Sequence, residues 1–219
     1  MVTYAQLRKN ESVNTYIQKA DETLRVLGYT EHSFAHVCRV AETGRYILES
    51  LGYPAREVEL LQIAGYMHDI GNMVNRDDHS QSGAVLAFYL LDKMGMPPEE
   101  IAAVVTAIGN HDEGTGVPVS PLAAALILAD KSDVRRSRVR HLDEISFDIH
   151  DRVNYSVRQS KITVSEDRTE IILELTIDTA YGSVMEYFEI FMKRMLLCRK
   201  AAQTLGLTLR LFINGQSLL

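Results

Sequence analysis

The sequence predicts a mainly α-helical protein with a small α/β unit at its C-terminal end. Up to about residue 145, apolar side chains recur at the spacing of one face of an amphipathic helix. Beyond residue 146, two segments rich in Val, Ile and Thr precede a long amphipathic stretch and a final apolar run. The 219 residues are 46% apolar and 24% charged, the balance of a globular protein with a substantial core. We therefore predict a helical domain over residues 1–145 and a small ββαβ domain over residues 146–219.

Three helices are predicted before residue 71. The first ends at Gly28 and carries an apolar stripe formed by Leu7, Val13, Ile17, Leu24 and Leu27. The second begins near Ser33 and ends at Gly52. The third runs from about Ala55 to Asp69, and Gly71 is a suitable C-terminal stop for it.

Two further helices have their starts marked by capping residues. Asp77 or Asp78 can cap a fourth helix from about His79 to Met94. The prolines and glutamates at positions 97–100 suit the first turn of a fifth, which continues to about His111.

A glycine-rich turn over residues 113–116 leads to a sixth helix, from about Pro121 through Asp130. The last part of the chain is predicted to be an antiparallel hairpin, a helix and a strand, over Arg152–Val164, Thr169–Ile177, Val184–Leu205 and Leu207–Ile213.

Composition excludes several classes of function. The formal net charge of −6 argues against binding to extended nucleic acid, which needs a basic surface. Cys38 and Cys198 match no disulfide framework or zinc-ribbon spacing. No apolar run reaches the ~18 residues of a membrane span, and the N-terminus lacks the features of a signal peptide. We therefore expect a cytoplasmic protein that binds no membrane.

Six metal-capable side chains stand at helix-sized separations: His36, His68, Asp69, His79, His111 and Asp130. Each lies at or near the end of its helix, on the apolar side; His111, for example, follows Val104 and Ile108 at i+7 and i+3. An ionisable group that faces a core is costly unless it is paired or coordinated. The repeated pattern predicts that the six groups converge and bind one or two divalent cations.

Simpler interpretations remain open at single positions. A lone histidine on an apolar stripe is usually a hydrogen-bonded core residue, and His79 can act in helix capping beside its two aspartates. His32 and His141 are predicted to be surface residues, and the pattern assigns no role to His150.

The order His36, His68-Asp69, Asp130 resembles the HD superfamily of metal-dependent phosphohydrolases over roughly residues 30–140. His79 and His111 look like the additional ligands of the dinuclear branch of that family, in particular of the symmetrical diadenosine tetraphosphate hydrolases. The resemblance implies an HD-domain helical bundle. The C-terminal ββαβ unit has no counterpart in the minimal HD fold.

Two departures bear on the substrate. Asn72 stands where many relatives carry lysine, three or four positions past Asp69. The Gly-Tyr-Pro signature of the cyclic-di-GMP phosphodiesterases is absent after His111, where residues 112–116 read Asp-Glu-Gly-Thr-Gly. Cyclic-di-GMP is therefore not the expected substrate.

The resemblance implies a dinuclear centre in which Asp69 bridges two cations. One cation would be held by His36, His68 and Asp130 with Asp69, and the other by His79 and His111. The mixed nitrogen and oxygen donors favour Fe or Mn, with Co, Ni, Zn or Mg as alternatives. A hydroxide held by the metals would attack phosphorus, which makes Asp69, His68 and Lys131 the expected catalytic residues.

Lys131, Arg135 and Arg138 are the expected substrate-binding residues. On a continued helix they would share one face, at i, i+4 and i+7, and cationic side chains suit phosphate. The alternative is a solvated basic face, or ion pairs with Asp143 and Glu144.

The expected function is hydrolysis of a phosphate ester or anhydride of a nucleotide or a related small molecule. The enzyme would be a phosphomonoesterase, a phosphodiesterase or a pyrophosphohydrolase. The alternative is a metal-containing module that senses a nucleotide with little or no turnover. A homodimer through the C-terminal hairpin and helix is compatible with either, since exposed strand edges invite pairing.

Overall fold

The structure, a computed structural model, describes residues 1–140 and 149–219. The predicted domain boundary between residues 145 and 146 lies outside these residues, as do His141, Asp143 and Glu144. The predicted fold class is confirmed, since helices dominate and a small sheet follows them near the C-terminal end. None of the helices described is long and apolar enough to cross a membrane.

The first part of the chain is built from α-helices with two short 3₁₀ turns. The helices are α1 (Tyr4–Leu7), α2 (Glu11–Val26), α3 (Phe34–Leu51), α4 (Ala55–Met67), α5 (His79–Lys93), α6 (Pro98–Gly109) and α7 (Pro121–Lys131). The 3₁₀ turns span Ile70–Met73 and Arg136–Arg138.

The first predicted helix is two helices in the structure. Thr3 caps α1 by accepting from the backbone N–H of Gln6, whose side chain accepts from the backbone N–H of Thr3. Asn10 caps α2 by accepting from the backbone N–H of Val13. The stripe crosses this break because Leu7, Val13 and Ile17 pack on one core. Leu27, just past α2, is exposed.

The prediction that the third helix reaches Asp69 is wrong, because α4 ends at Met67. Gly71 then serves close packing, not helix termination. A Cβ at Gly71 would lie 1.9 Å from the carbonyl oxygen of His79 and 2.5 Å from the backbone nitrogen of Gly83. Only glycine lets the start of α5 approach the turn after α4 this closely.

The start of α5 differs from the prediction that an aspartate side chain caps it. Asp78 occupies the capping position with a φ of 55°, and its side chain makes no capping hydrogen bond. Its backbone carbonyl accepts instead from the N–H groups of Gln81 and Ser82. Aspartate tolerates this left-handed conformation better than most residues do.

The C-terminal part contains a four-stranded sheet and two helices: α8 (Ile149–Ser156), β1 (Val157–Val164), β2 (Glu170–Ile177), α9 (Val184–Thr204), β3 (Thr208–Ile213) and β4 (Gln216–Ser217). The strand order is β1-β2-β3-β4, with β2 and β3 parallel and the other pairs antiparallel. The predicted ββαβ order is thus confirmed, with β4 added.

The predicted first strand begins too early, because residues 149–156 form α8. Val153 and Ser156 are buried at helical spacing, and the Asn154 side chain donates to the carbonyl oxygen of His150, four residues back. Packing at these positions overrides the strand preference that the sequence suggests.

The C-terminal part shares its core with the helices. Tyr187, Phe191, Met195 and Cys198 form the buried face of α9, and α9 packs on α7. Ser160 of β1 donates to the carbonyl oxygen of Ser132, just after α7. This packing brings α9 beside the end of α7 that carries Asp130.

Candidate metal centre

The six metal-capable side chains converge, and all six are buried. They come from six places in the chain: His36 in α3, His68 at the end of α4, Asp69 after it, His79 at the start of α5, His111 after α6 and Asp130 in α7. The potential ligand atoms form two overlapping sets, and within each set all atoms lie within 4.8 Å of one another. One set is His36, His68 and Asp130, and the other is His68, Asp69 and His111.

The first group of donors surrounds the Nε2 atoms of His36 and His68, which are 3.3 Å apart. Oδ1 of Asp130 lies 3.3 Å from Nε2 of His36. Oδ2 of Asp69 lies 3.1 Å from Nε2 of His68 and 3.5 Å from Nε2 of His36. Two imidazoles and two carboxylates therefore face one point.

The second group is formed by His79 and His111, whose Nε2 atoms are 3.3 Å apart. The other carboxylate oxygen of Asp69, Oδ1, lies 3.6 Å from the first and 3.9 Å from the second. Oδ1 of Asp112 adds an oxygen 3.9 Å from Nε2 of His79. Asp69 thus presents one oxygen to each pair of histidines, as a bridging ligand must.

Hydrogen bonds at Nδ1 fix the tautomers of these rings. In three of them Nδ1 lies near the backbone carbonyl oxygen three residues back: 2.8 Å for His68, 3.0 Å for His79 and 2.6 Å for His111. A carbonyl oxygen only accepts, so Nδ1 carries the proton and a neutral ring keeps its lone pair on Nε2. Each of these lone pairs points into the cluster.

This arrangement fits divalent cations. Unshared lone pairs that face each other at 3.3 Å repel unless a proton or a cation lies between them. Oδ2 of Asp69 is buried and has no hydrogen-bond partner among the described residues, and a buried carboxylate oxygen needs one. Imidazole nitrogens mixed with carboxylate oxygens form a donor set for Fe, Mn, Zn and similar ions.

Asp133 holds the remaining ring. Its Oδ2 lies 2.8 Å from Nδ1 of His36, and its Oδ1 accepts from Nε of Arg135 at 2.9 Å and pairs with Nε of Arg39 at 3.1 Å. A carboxylate behind a ligating histidine fixes the orientation of the ring and raises its basicity. Sequence reasoning missed Asp133; its place three residues after Asp130 was the available signal.

The predicted sixth helix is confirmed as α7, which ends at Lys131, so Lys131, Arg135 and Arg138 do not share a helical face. The chain leaves the helix there and becomes extended at Arg135, so Asp133 turns inward. Arg135 pairs with Glu31 and Asp133. Arg138 donates to the backbone carbonyl oxygens of Glu31 and Asp133 and lines the cavity described below.

Lys131 is buried between two carboxylates. Its Nζ lies 2.7 Å from Oδ2 of Asp130 and 2.6 Å from Oε2 of Glu113. Glu113 comes from the glycine-rich turn, where a Cβ at Gly116 would lie 2.4 Å from two backbone carbonyl oxygens. The turn thus places the Glu113 side chain beside Lys131. Glu113 was not among the predicted site residues.

Asn72 connects Asp69 to the guanidinium of Arg76 through two hydrogen bonds. Its side-chain Nδ2 donates to Oδ1 of Asp69 at 3.0 Å, and its Oδ1 accepts from Nη1 of Arg76 at 3.2 Å. Arg76 stacks on the ring of Tyr29 and lines the cavity. The position where many relatives carry lysine thus holds the Asn72 amide, which accepts a hydrogen bond from Arg76.

A cavity of about 340 Å³ opens onto the donors, near the low end of the range for small-molecule sites. Asp69, His79, His111 and Asp130 line it. So does His32, which is half-buried with its ring 5.4 Å from that of His36, so its prediction as a surface residue is wrong.

The pKa values divide the histidines into two groups. Burial disfavours the charged form of His36, but hydrogen bonds to carboxylates outweigh burial and raise its pKa to about 9. Burial also opposes the charge on His68, yet Asp69 and Asp130 raise its pKa to about 10. Burial lowers the pKa of His79, and burial together with nearby positive charge lowers that of His111 well below its usual range.

Metal affinity is therefore expected to rise steeply with pH. At pH 7 the metal-free pair of His36 and His68 holds a proton at Nε2, because the pKa values of both rings are raised and one proton fits between Nε2 atoms 3.3 Å apart. A protonated Nε2 cannot coordinate a metal, so binding must release this proton, and one released proton corresponds to about a tenfold gain in affinity per pH unit. The gain ends as pH passes the two pKa values.

Calorimetric titration with Mn²⁺ near pH 7, in buffers of different ionisation enthalpy, measures the released proton. Binding without proton release would show that both rings are already neutral, contrary to this expectation.

The chain is similar to known proteins over part of its length. Residues 33–135 match the family model for the HD domain. Over 197 residues the chain is 26% identical to uncharacterized protein MJ1020 of Methanocaldococcus jannaschii, covering 78% of this chain and 75% of that protein. The crystal structure of a predicted HD superfamily hydrolase from an uncultured Thermotogales bacterium aligns with a TM-score of 0.45 and 24% identity, covering 57% of this chain and 67% of the other. Residues 33–135 therefore resemble the HD domain.

Proposed function

We propose that the HD domain of this chain hydrolyses a phosphate ester or anhydride of a nucleotide or a related small molecule, using two divalent cations. The observation that carries this proposal is the position of Asp69. Its two oxygens face two different pairs of histidines, and their distances from the Nε2 atoms run from 3.1 to 3.9 Å.

Two cations bound there would lower the pKa of a coordinated water and offset negative charge on phosphoryl oxygens. His36, His68, Asp69 and Asp130 are the residues that would hold one of them, and His79 and His111 with Asp69 the other. The donor set favours Fe or Mn.

The protein itself contributes fixed donor positions. Three of the histidines are oriented by backbone carbonyls and the fourth by Asp133. Lys131 holds one oxygen of Asp130, so that the other oxygen faces His36. Because these supports are already in place, little reorganisation is needed when the ligands act.

The cavity suits a small anionic substrate. Arg76, Lys131 and Arg138 bring positive charge to its lining, and Tyr29 brings an aromatic ring. These cations can contact phosphate oxygens. The role of Arg135 is then to orient Asp133, since Arg135 does not line the cavity.

A substrate panel tests the proposal. Protein loaded with Mn²⁺ or Fe²⁺ is assayed against nucleoside mono-, di- and triphosphates, dinucleoside polyphosphates and generic phosphodiesters. We expect phosphate release or bond cleavage with at least one of them, lost on chelation and absent in His68→Ala. Fully metallated protein that cleaves none of the panel would refute hydrolysis. Tight nucleotide binding without turnover would favour the alternative sensing module.

A further inference from the structure

The C-terminal part of the chain forms one wall of the cavity that holds the metal-facing donors. His150 and Asn154 of α8 line it, together with Phe191 and Arg194 of α9. The metal-facing residues come from the helical domain, so the cavity is shared between the two parts. Arg194 is the cation that the C-terminal wall contributes.

Arg194 is fixed in place by two contacts. Its guanidinium carbon lies 3.9 Å from the centre of the Phe191 ring, and Nη2 lies 3.2 Å from Oε1 of Glu113. Its Nε is buried and has no hydrogen-bond partner in the part of the chain that the structure describes. A guanidinium is always charged and has five N–H donors, more than the Glu113 carboxylate uses.

One carboxylate separates Arg194 from Lys131. Oε1 of Glu113 faces Arg194, and Oε2 lies 2.6 Å from Nζ of Lys131. The Lys131 ammonium also pairs with Asp130. The charges of Lys131 and Arg194 therefore balance those of Glu113 and Asp130 in this row of ion pairs. Both Lys131 and Arg194 line the cavity.

Charge balance determines what each member does to an incoming anion. Removing Arg194 would leave the cluster with a net charge of −1 beside the cavity, whereas neutralising Glu113 would leave it at +1. A cluster that merely fastens α9 to the turn before α7 would respond alike to both changes, because either one breaks the same ion pair.

We propose that Arg194 is a substrate-binding residue that forms, with Lys131, a subsite for a phosphate group, and that Glu113 sets the net charge of this subsite. The proposal rests on the proposed function only in taking the phosphate to belong to the substrate. It means that the C-terminal unit supplies part of the binding site.

Two variants with opposite expected effects test the proposal. Inorganic phosphate is titrated calorimetrically into the full-length protein at saturating Mn²⁺. Arg194→Met should weaken phosphate binding by about tenfold to a hundredfold, the range for loss of one hydrogen bond to a charged group. Glu113→Gln, which keeps shape and removes the charge, should strengthen it by about fivefold or more. Arg199→Met, an exposed arginine on the same helix, is the control and should change nothing.

Arg194→Lys separates a loss of charge from a loss of fold. It keeps the cation, so it should recover most of the phosphate affinity even if Arg194→Met proves unstable in thermal unfolding. The proposal is overturned if Arg194→Met and Glu113→Gln weaken phosphate binding equally, or if folded Arg194→Met binds phosphate like Arg199→Met.

Failure of the phosphate subsite can be distinguished from failure of the proposed hydrolase function. The unmodified protein could hydrolyse nothing while Arg194→Met weakens phosphate binding and Glu113→Gln strengthens it. In that case the proposed subsite is supported and the proposed hydrolysis is refuted. If the protein is an active hydrolase and KM for its substrate is the same in Arg194→Met as in Arg199→Met, the subsite falls and hydrolysis stands.

Discussion

Asp69→Asn is expected to abolish turnover and to empty both metal positions while the fold survives. The amide keeps the shape of the carboxylate but removes its charge and replaces one ligating oxygen with an NH₂ group that cannot coordinate. In residues 1–140 and 149–219, Asp69 is the one residue with a carboxylate oxygen within 4 Å of Nε2 in both pairs of histidines. Bound metal supplies several kcal/mol of transition-state stabilisation, so kcat should fall by about 10³-fold or more.

Asp77→Asn is the matched control for this variant. Asp77 is exposed, lies eight residues further along the chain, and undergoes the same chemical change. Metal content is measured by elemental analysis, turnover with a substrate from the panel, and folding by circular dichroism. A folded Asp69→Asn protein that retains two metals per chain, or turnover close to that of Asp77→Asn, would contradict the bridging role.

Gly71→Ala is expected to cause the largest loss of stability among the single substitutions considered. The added Cβ would lie 1.9 Å from the carbonyl oxygen of His79 and 2.5 Å from the nitrogen of Gly83, and both are backbone atoms. The start of α5 must therefore move. We expect the free energy of unfolding to fall by ~3 kcal/mol, at the upper end of the range for overpacking.

The same movement should weaken metal binding, because His79 is the first residue of α5. Gly109→Ala is the control, since the nearest atom to its added Cβ is 3.6 Å away and alanine favours a helix over glycine. Denaturant unfolding and Mn²⁺ titration of both variants provide the measurements. Equal stability of the two variants would show that the turn after α4 and the start of α5 are not held this closely.

The features that the sequence predicts well are those with a local signature. The apolar stripes of α2, α3 and α6 follow the helical period, and the repeated imidazole or carboxylate at a helix end predicts a shared polar centre. Such patterns can be recognised from residues that are close together in the sequence.

The parts that could not be predicted depend on contacts between distant residues. Asp133 meets His36 across 97 positions, and Arg194 meets Glu113 across 81. Neither pair has a periodicity that marks it. Lys131 was predicted as a substrate contact, but its two acidic neighbours in space become visible only when the turn and α7 are packed together.

Local preference also failed where tertiary packing decides the conformation. The Val-containing segment before Val157 suggests a strand, yet burial of Val153 and Ser156 on one face makes it helix α8. Lys131, Arg135 and Arg138 would share one face only on a continued helix, yet α7 ends at Lys131 and Asp133 contacts His36.

Separate helices bring their imidazoles and carboxylates together in one buried centre, which we propose binds two cations. The most direct test is the number of metal atoms bound per chain in the unmodified protein, by elemental analysis after Mn²⁺ or Fe²⁺ loading and gel filtration. The geometry predicts two atoms per chain, falling to one in His111→Ala. A folded protein that retains no metal, or a single atom that His111→Ala leaves unchanged, would rule out a dinuclear centre.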